Sequence, residues 1–113
     1  MRLVNASITL HEIAEEAKKT FGEMVKAVVD IEKRIMVIGG DMHADEEAEL
    51  IKNGSNQQDL WGINLYPDLT EDLWMEFDSM INVRPLQGNM SRMIQDEATK
   101  QKIRVIVDSL VKR

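Results

Sequence analysis

A histidine set among carboxylates just after a double glycine, at Gly39-Gly40-Asp41-Met42-His43-Ala44-Asp45-Glu46, is the first stretch of this chain whose side chains could do chemistry. A strand that ends on paired glycines and turns into a helix is a common position for such groups. His43 could act as a general acid or base. Asp41, His43 and Glu46 could supply part of the mixed nitrogen and oxygen set that zinc or a harder cation takes. The same residues have a plainer use, in which Asp45 or His43 caps a helix and the acids favour the positive end of its dipole.

A second constellation follows from strand alternation. Leu60 to Tyr66 and Leu73 to Arg84 both read as strands, and aligning Ile63 with Phe77 gathers Trp61, Leu65, Met75, Ile81 and Val83 on one face. The other face then carries Gly62, Asn64 and Tyr66 beside Trp74, Glu76 and Asp78, with Asn82 and Arg84 further along. Polar groups framed by two aromatics, with room above a glycine, suit a small ligand or a base; an ordinary solvated sheet face is the competing account. Adjoining it, the stretch from Ser79 to Gln95 has no carboxylate but holds Arg84, Gln87, Gly88, Asn89, Ser91 and Arg92. Two guanidiniums and the amides near Gly88 could hold a phosphate, unless Asp78 and Asp96 pair with the arginines and pin the loop. A catalytic arrangement would take His43 as acid or base, Asp78 or Glu76 as its partner and Arg84 or Arg92 as charge stabiliser, although no serine elbow or Walker loop accompanies them.

Several elements must position these residues. Thr9 with Glu12 makes a capping box, Leu10, Ile13, Ala14, Ala17 and Phe21 form an apolar stripe, and Gly22 ends the helix. Val25, Ala27, Val29 and Ile31 alternate, Glu32-Lys33-Arg34 turns, and Ile35 to Ile38 resume, which is a β-hairpin. Val28, Met36 and Ile38 make its second face apolar too, so a covering layer or a partner subunit is expected there, and with it a homodimer. Ala44 to Lys52 reads as a helix with Ala48 and Ile51 as its apolar contacts and Asn53-Gly54 as its stop. Asp96 caps a last helix carrying Ile103, Ile106, Val107, Leu110 and Val111 at helical spacing. The expected fold class is α+β: a mainly antiparallel four- or five-stranded sheet built from two hairpins and packed against three helices, in the order α-ββ-α-ββ-α, with a short strand at Arg2 to Val4 ahead of it.

Composition limits the setting. A chain of 113 residues, 43% apolar and 30% charged, suits one globular domain spanning 1–113. There is no run of about 18 apolar residues for a membrane and no apolar leader, so a cytoplasmic protein is expected. Cysteine is absent, which removes disulfides, thiolate metal sites and thiol nucleophiles. A formal charge of −6 opposes phosphate-backbone binding, so a nucleic-acid partner is not expected. Eight methionines suggest adaptable packing or a plastic interface.

Gly39-Gly40, His43-Ala44-Asp45-Glu46-Glu47, Gly54-Ser55, Leu60-Trp61-Gly62-Ile63-Asn64 and Tyr66-Pro67 resemble the pattern of a small prokaryotic family catalogued as a domain of unknown function. The resemblance continues through Phe77-Asp78-Ser79-Met80-Ile81-Asn82, Arg84-Pro85 and Gly88-Asn89 and spans nearly the whole chain. It implies no activity. Met90 departs from it where a basic residue is usual, which lessens the anion-binding reading of that loop.

The functional expectation is a non-enzymatic small-ligand or anion-binding regulatory module, without a cofactor. Its site residues would be Asn64, Tyr66, Glu76, Asp78, Asn82, Arg84, Asn89 and Arg92, and its partners an unidentified small molecule or protein. Two alternatives stand beside it: a small hydrolase or ribonuclease-like enzyme using His43 with a carboxylate such as Asp78 and the arginines, and a protein-interaction subunit.

Overall fold

Alternation and capping chemistry place most of the elements. The computed structural model describes residues 1–113. It contains strands β1 (Arg2–Val4) and β2 (Ile8–Thr9), helix α1 (Leu10–Lys19), hairpin strands β3 (Val25–Asp30) and β4 (Ile35–Ile38), and helix α2 (His43–Lys52). Strands β5 (Leu60–Leu65) and β6 (Met75–Glu76), helix α3 (Glu97–Leu110) and strand β7 (Val111–Lys112) follow. The fold is α+β: an antiparallel five-stranded sheet in the order β1-β4-β3-β5-β6, three helices, and a small parallel pair β2-β7 that the sequence reading did not anticipate.

Each expected cap but one is present. Thr9 Oγ1 accepts from the Glu12 N–H while Glu12 reaches back to the Thr9 N–H, and Asp96 accepts from the Thr99 N–H. Neither Asp45 nor His43 caps α2; Met42 occupies that position without a side-chain hydrogen bond. In the first hairpin, buried Asp30 accepts from the N–H groups of Glu32 and Lys33 and from Ser55 Oγ, so one carboxylate tightens the turn and ties it to the loop after α2.

The sheet is covered on both faces. Val25, Ala27, Val29, Met36, Ile38, Trp61, Ile63 and Leu65 pack under α1 and α3 through Ile13, Ala17, Ile103, Ile106, Val107 and Leu110. Val28 and Val37 point the other way and meet Leu50 of α2 and Leu60. The second face therefore consists of Val28 and Val37 rather than Met36 and Ile38, because the register pairs Val29 with Met36 and Ala27 with Ile38 on the first. Helix α2 covers it from within the same chain, so its burial requires no second subunit. Leu50 makes that contact; Ala48 and Ile51 are exposed, as is Phe21 beyond α1.

The second hairpin departs most from alternation. Its register matches the expected alignment, with Asn64 opposite Glu76 and Leu65 opposite Met75, but pairing stops after Glu76. The chain instead leaves the sheet and makes short 3-10 turns at Met80–Asn82 and Pro85–Gln87. Val83 is exposed, Ile81 packs with the smaller cluster on the α2 side, and Trp74 is buried in the main core, so the face predicted for each of these three is wrong. Trp74 stands at the mouth of the hairpin, where its carbonyl still accepts from the Tyr66 N–H but its own N–H bonds the Thr70 carbonyl, so it belongs to the closing turn as much as to the strand.

Where a strand partner for Gly62 is missing, the Asn82 side chain supplies one. Its Oδ1 accepts from the Gly62 N–H at 2.8 Å and its Nδ2 donates to the Gly62 carbonyl at 2.9 Å, as a peptide group would. Ser79 crosses so close that a Cβ on Gly62 would lie 2.5 Å from the Ser79 Cβ, which only glycine permits. Asn89 then holds the next turn, donating to the carbonyls of Asn82, Ser91 and Met93 while its Oδ1 accepts from the Gln95 N–H. Removing the Asn82 amide leaves a buried N–H and C=O unpaired. Asn82→Ala is expected to cost roughly 2–4 kcal/mol in urea denaturation, against less than about 0.5 kcal/mol for exposed Asn56→Ala; equal effects would remove this role from Asn82.

Candidate functional site

The segment that leaves the sheet forms one wall of a cleft of about 270 Å3, with the start of α2 and the ends of β3 and β5 as the others. Its polar lining is Lys26, His43, Asn64, Asp78, Ser79 and Arg92; Met24, Met42, Met80 and Ile81 give the apolar part. Thus His43, Asn64, Asp78 and Arg92, drawn from separate stretches of sequence, meet in one place.

His43 is the first residue of α2, and its Nε2 lies 2.8 Å from the Ile63 carbonyl. A carbonyl only accepts, so Nε2 carries the proton. Burial pushes the ring's pKa below its ordinary value; the Ile63 hydrogen bond and the neighbouring Asn64 side chain oppose this without prevailing. At neutral pH the imidazole is uncharged, with Nδ1 unprotonated.

Asn64 donates from Nδ2 to Glu76 Oε1 at 2.7 Å and to the Asp78 carbonyl at 3.2 Å. Both partners are pure acceptors, which settles the orientation of the amide. Its Oδ1 is left buried without any donor from the protein. Such an orphan is uncommon and is worth a functional explanation. Tyr66 donates from its hydroxyl to the same Glu76 oxygen at 3.3 Å, so Tyr66 and Glu76 brace Asn64 without themselves lining the cleft.

The cations differ in what they are free to do. Arg92 is half exposed and donates from Nε to Asp78 Oδ1 at 2.9 Å, which leaves its terminal nitrogens and Asp78 Oδ2 without hydrogen bonds. Lys26 lies opposite Asn64 in the sheet, makes no ion pair, and rests its Nζ 4.9 Å from the Phe21 ring centre. The N–H groups of His43 and Ala44 have no acceptor within the protein, as expected of a helix start without a side-chain cap.

Three more of the predicted ligand residues serve the fold instead. Arg84 is almost wholly buried; it stacks on Trp61 at 4.8 Å and donates to the carbonyls of Ile81 and Gln57 and to Glu47 Oε2. Asn82 and Asn89 spend their amides on backbone. The two guanidiniums have different partners and form no common anion clamp, and Asp96 is a helix cap rather than a partner for either. Lys26 and the three rim methionines were missed, though a lysine within the apolar strand Val25–Asp30 was a legible signal.

The metal candidates diverge. No group of three or more histidine or carboxylate side chains is arranged to hold an ion. Asp41 is exposed beside a separate hollow, His43 turns to Ile63, and Glu46 lies buried beneath Gly40, where its Oε2 accepts the Gly40 N–H at 3.0 Å and its Oε1 has no partner. A Cβ on Gly40 would come within 2.8 Å of the Glu46 Cγ, so the second glycine is required by this packing. Burial pushes the Glu46 carboxyl from its ordinary 4.5 up to about 9.

The folded chain thus keeps a proton that the unfolded chain releases above about pH 4.5, and it loses stability as pH rises through that window towards 9. Glu46→Gln is expected to raise the melting temperature at pH 8 by several degrees, on the order of 2 kcal/mol, and to change little at pH 4.5. Melting curves across that range check it; a shift independent of pH would mean that Glu46 is ionised in the fold.

The family model described as Protein of unknown function (DUF5674) matches residues 2–110, which include every residue lining the cleft. No curated protein and no solved structure matches the chain. A match over almost the entire sequence shows the family, and this protein belongs to the DUF5674 family.

Proposed function

We propose that this protein is a non-enzymatic module that binds a small anion in the cleft at the start of α2. The observation that carries the reading is the set of unengaged donors there: the N–H groups of His43 and Ala44 at a helix start, the Lys26 ammonium and the outer nitrogens of Arg92. A helix N-terminus flanked by cations is a ready anion site. A volume of about 270 Å3 lies just below the usual range for drug-sized ligands, which favours a small metabolite over a nucleotide. The site lies away from the Arg84 to Asn89 turn, because Arg84 is consumed by packing. All lining residues come from one chain, and the reading places the protein in a prokaryotic cytoplasm, acting on a soluble metabolite.

A second reading has one observation in its favour. His43, Asp78 and Arg92 share the cleft, as a small hydrolase would need, and His43 Nδ1 is unprotonated as a general base must be. Against it, Asp78 pairs with Arg92, and the proton-bearing side of the imidazole is held by Ile63, so no carboxylate orients the ring.

Calorimetric titration with acetate and inorganic phosphate at pH 7 separates these outcomes. Saturable binding that weakens about tenfold in Lys26→Met, as expected for loss of one charge-assisted contact, supports the module. If neither anion binds the wild type, the anion reading falls; phosphodiester or ester hydrolysis abolished by His43→Gln would move the assignment to the enzyme.

A further inference from the structure

A simple anion leaves half of this cleft unanswered. The Asn64 Oδ1 is a buried acceptor without a donor, in a residue only 6% exposed. His43 does not supply the missing proton, because its own is committed to Ile63. Asp78 Oδ2 is likewise unengaged. A carboxylate has no proton to give at neutral pH, a phosphate keeps a P–O–H there but brings its negative charge against Asp78, and a bare amine would leave the helix N–H groups and Lys26 without an acceptor. The occupant that answers both halves carries an acceptor group and a cationic donor a few ångströms apart. The hollow on the far side of the double glycine offers no such pairing, since Asp41, Asp45, Glu49 and Lys52 line it without a buried unpaired group among them.

We infer that the cleft binds a zwitterionic α-amino acid with a short apolar side chain. Its carboxylate lies against the His43 and Ala44 N–H groups and Lys26, its ammonium bonds Asp78 Oδ2 next to the Asn64 amide, and its side chain rests on the thioethers of Met24, Met42 and Met80. Two of these methionines, Met42 and Met80, are more than half exposed, so the cleft offers apolar surface that a bound apolar group would cover. The cleft volume suits an amino acid with a side chain of a few carbons. This deepens the anion-site reading and rests on it.

Three matched probes test it on the intact protein: L-valine, isovalerate, which lacks the amine, and isobutylamine, which lacks the carboxylate. The expected result is that calorimetry finds valine binding at least about tenfold more tightly than either analogue. In Asp78→Asn the advantage of valine over isovalerate should collapse, whereas Lys26→Met should weaken valine and isovalerate alike. Isovalerate binding as well as valine overturns the amino-acid assignment and leaves the anion site standing. Isobutylamine matching valine overturns both. No binding by any of the three, with acetate or phosphate still binding, overturns the amino-acid assignment alone.

Discussion

The Asn82 amide bound to the backbone of Gly62 is the interaction on which the cleft at the start of α2 depends. Strand β5 is paired along its whole length with β3, but on its other side only its last two residues meet β6. An unpaired stretch of buried backbone there would be costly. One side chain meets that need by presenting an acceptor and a donor at peptide spacing. The main chain is thereby released from the sheet, and the freed segment from Asp78 to Arg92 folds across the end of β5 to build a wall facing α2. Had the strand continued to Arg84, Asp78 and Met80 would be locked into a ladder and the cleft would not exist.

Much of the frame was legible in the sequence because it rests on local rules. The Thr9 and Glu12 box, the Asp96 cap, the first hairpin and the register of the second all follow from contacts between near neighbours or from strict alternation. Legibility ended where a side chain replaced a strand. A buried polar residue satisfied by backbone has the same letter as an exposed one awaiting a ligand, so Asn82, Arg84 and Asn89 read as site residues although their donors and acceptors are spent on the fold. The β2-β7 pair was hidden for a related reason: two residues per strand give no periodicity to detect.

Around the candidate site the same distinction separates residues spent on the fold from residues with free polar groups. His43, Asn64, Asp78 and Arg92 were visible individually, but their convergence depends on the path of the chain after Glu76, which no periodicity encodes. Lys26 belongs with them because the β3–β5 register sets it opposite Asn64. What sets the cleft residues apart in three dimensions is an unspent valence: an amide oxygen without a donor, helix N–H groups without an acceptor, an ammonium without a carboxylate.

The small parallel pair between β2 and β7 has a consequence for the order of assembly. It joins Ile8 to Val111, so forming it closes a loop of about a hundred residues, whereas the β3-β4 hairpin closes across a single tight turn. Contacts of such long range bring no return until most of the chain is already in place. The hairpin is therefore suited to start assembly and the β2-β7 clasp to finish it. Because the clasp adds only two residue pairs, few hydrogen bonds hold it, and its amides would exchange with solvent sooner than those of the central strands β3 and β5.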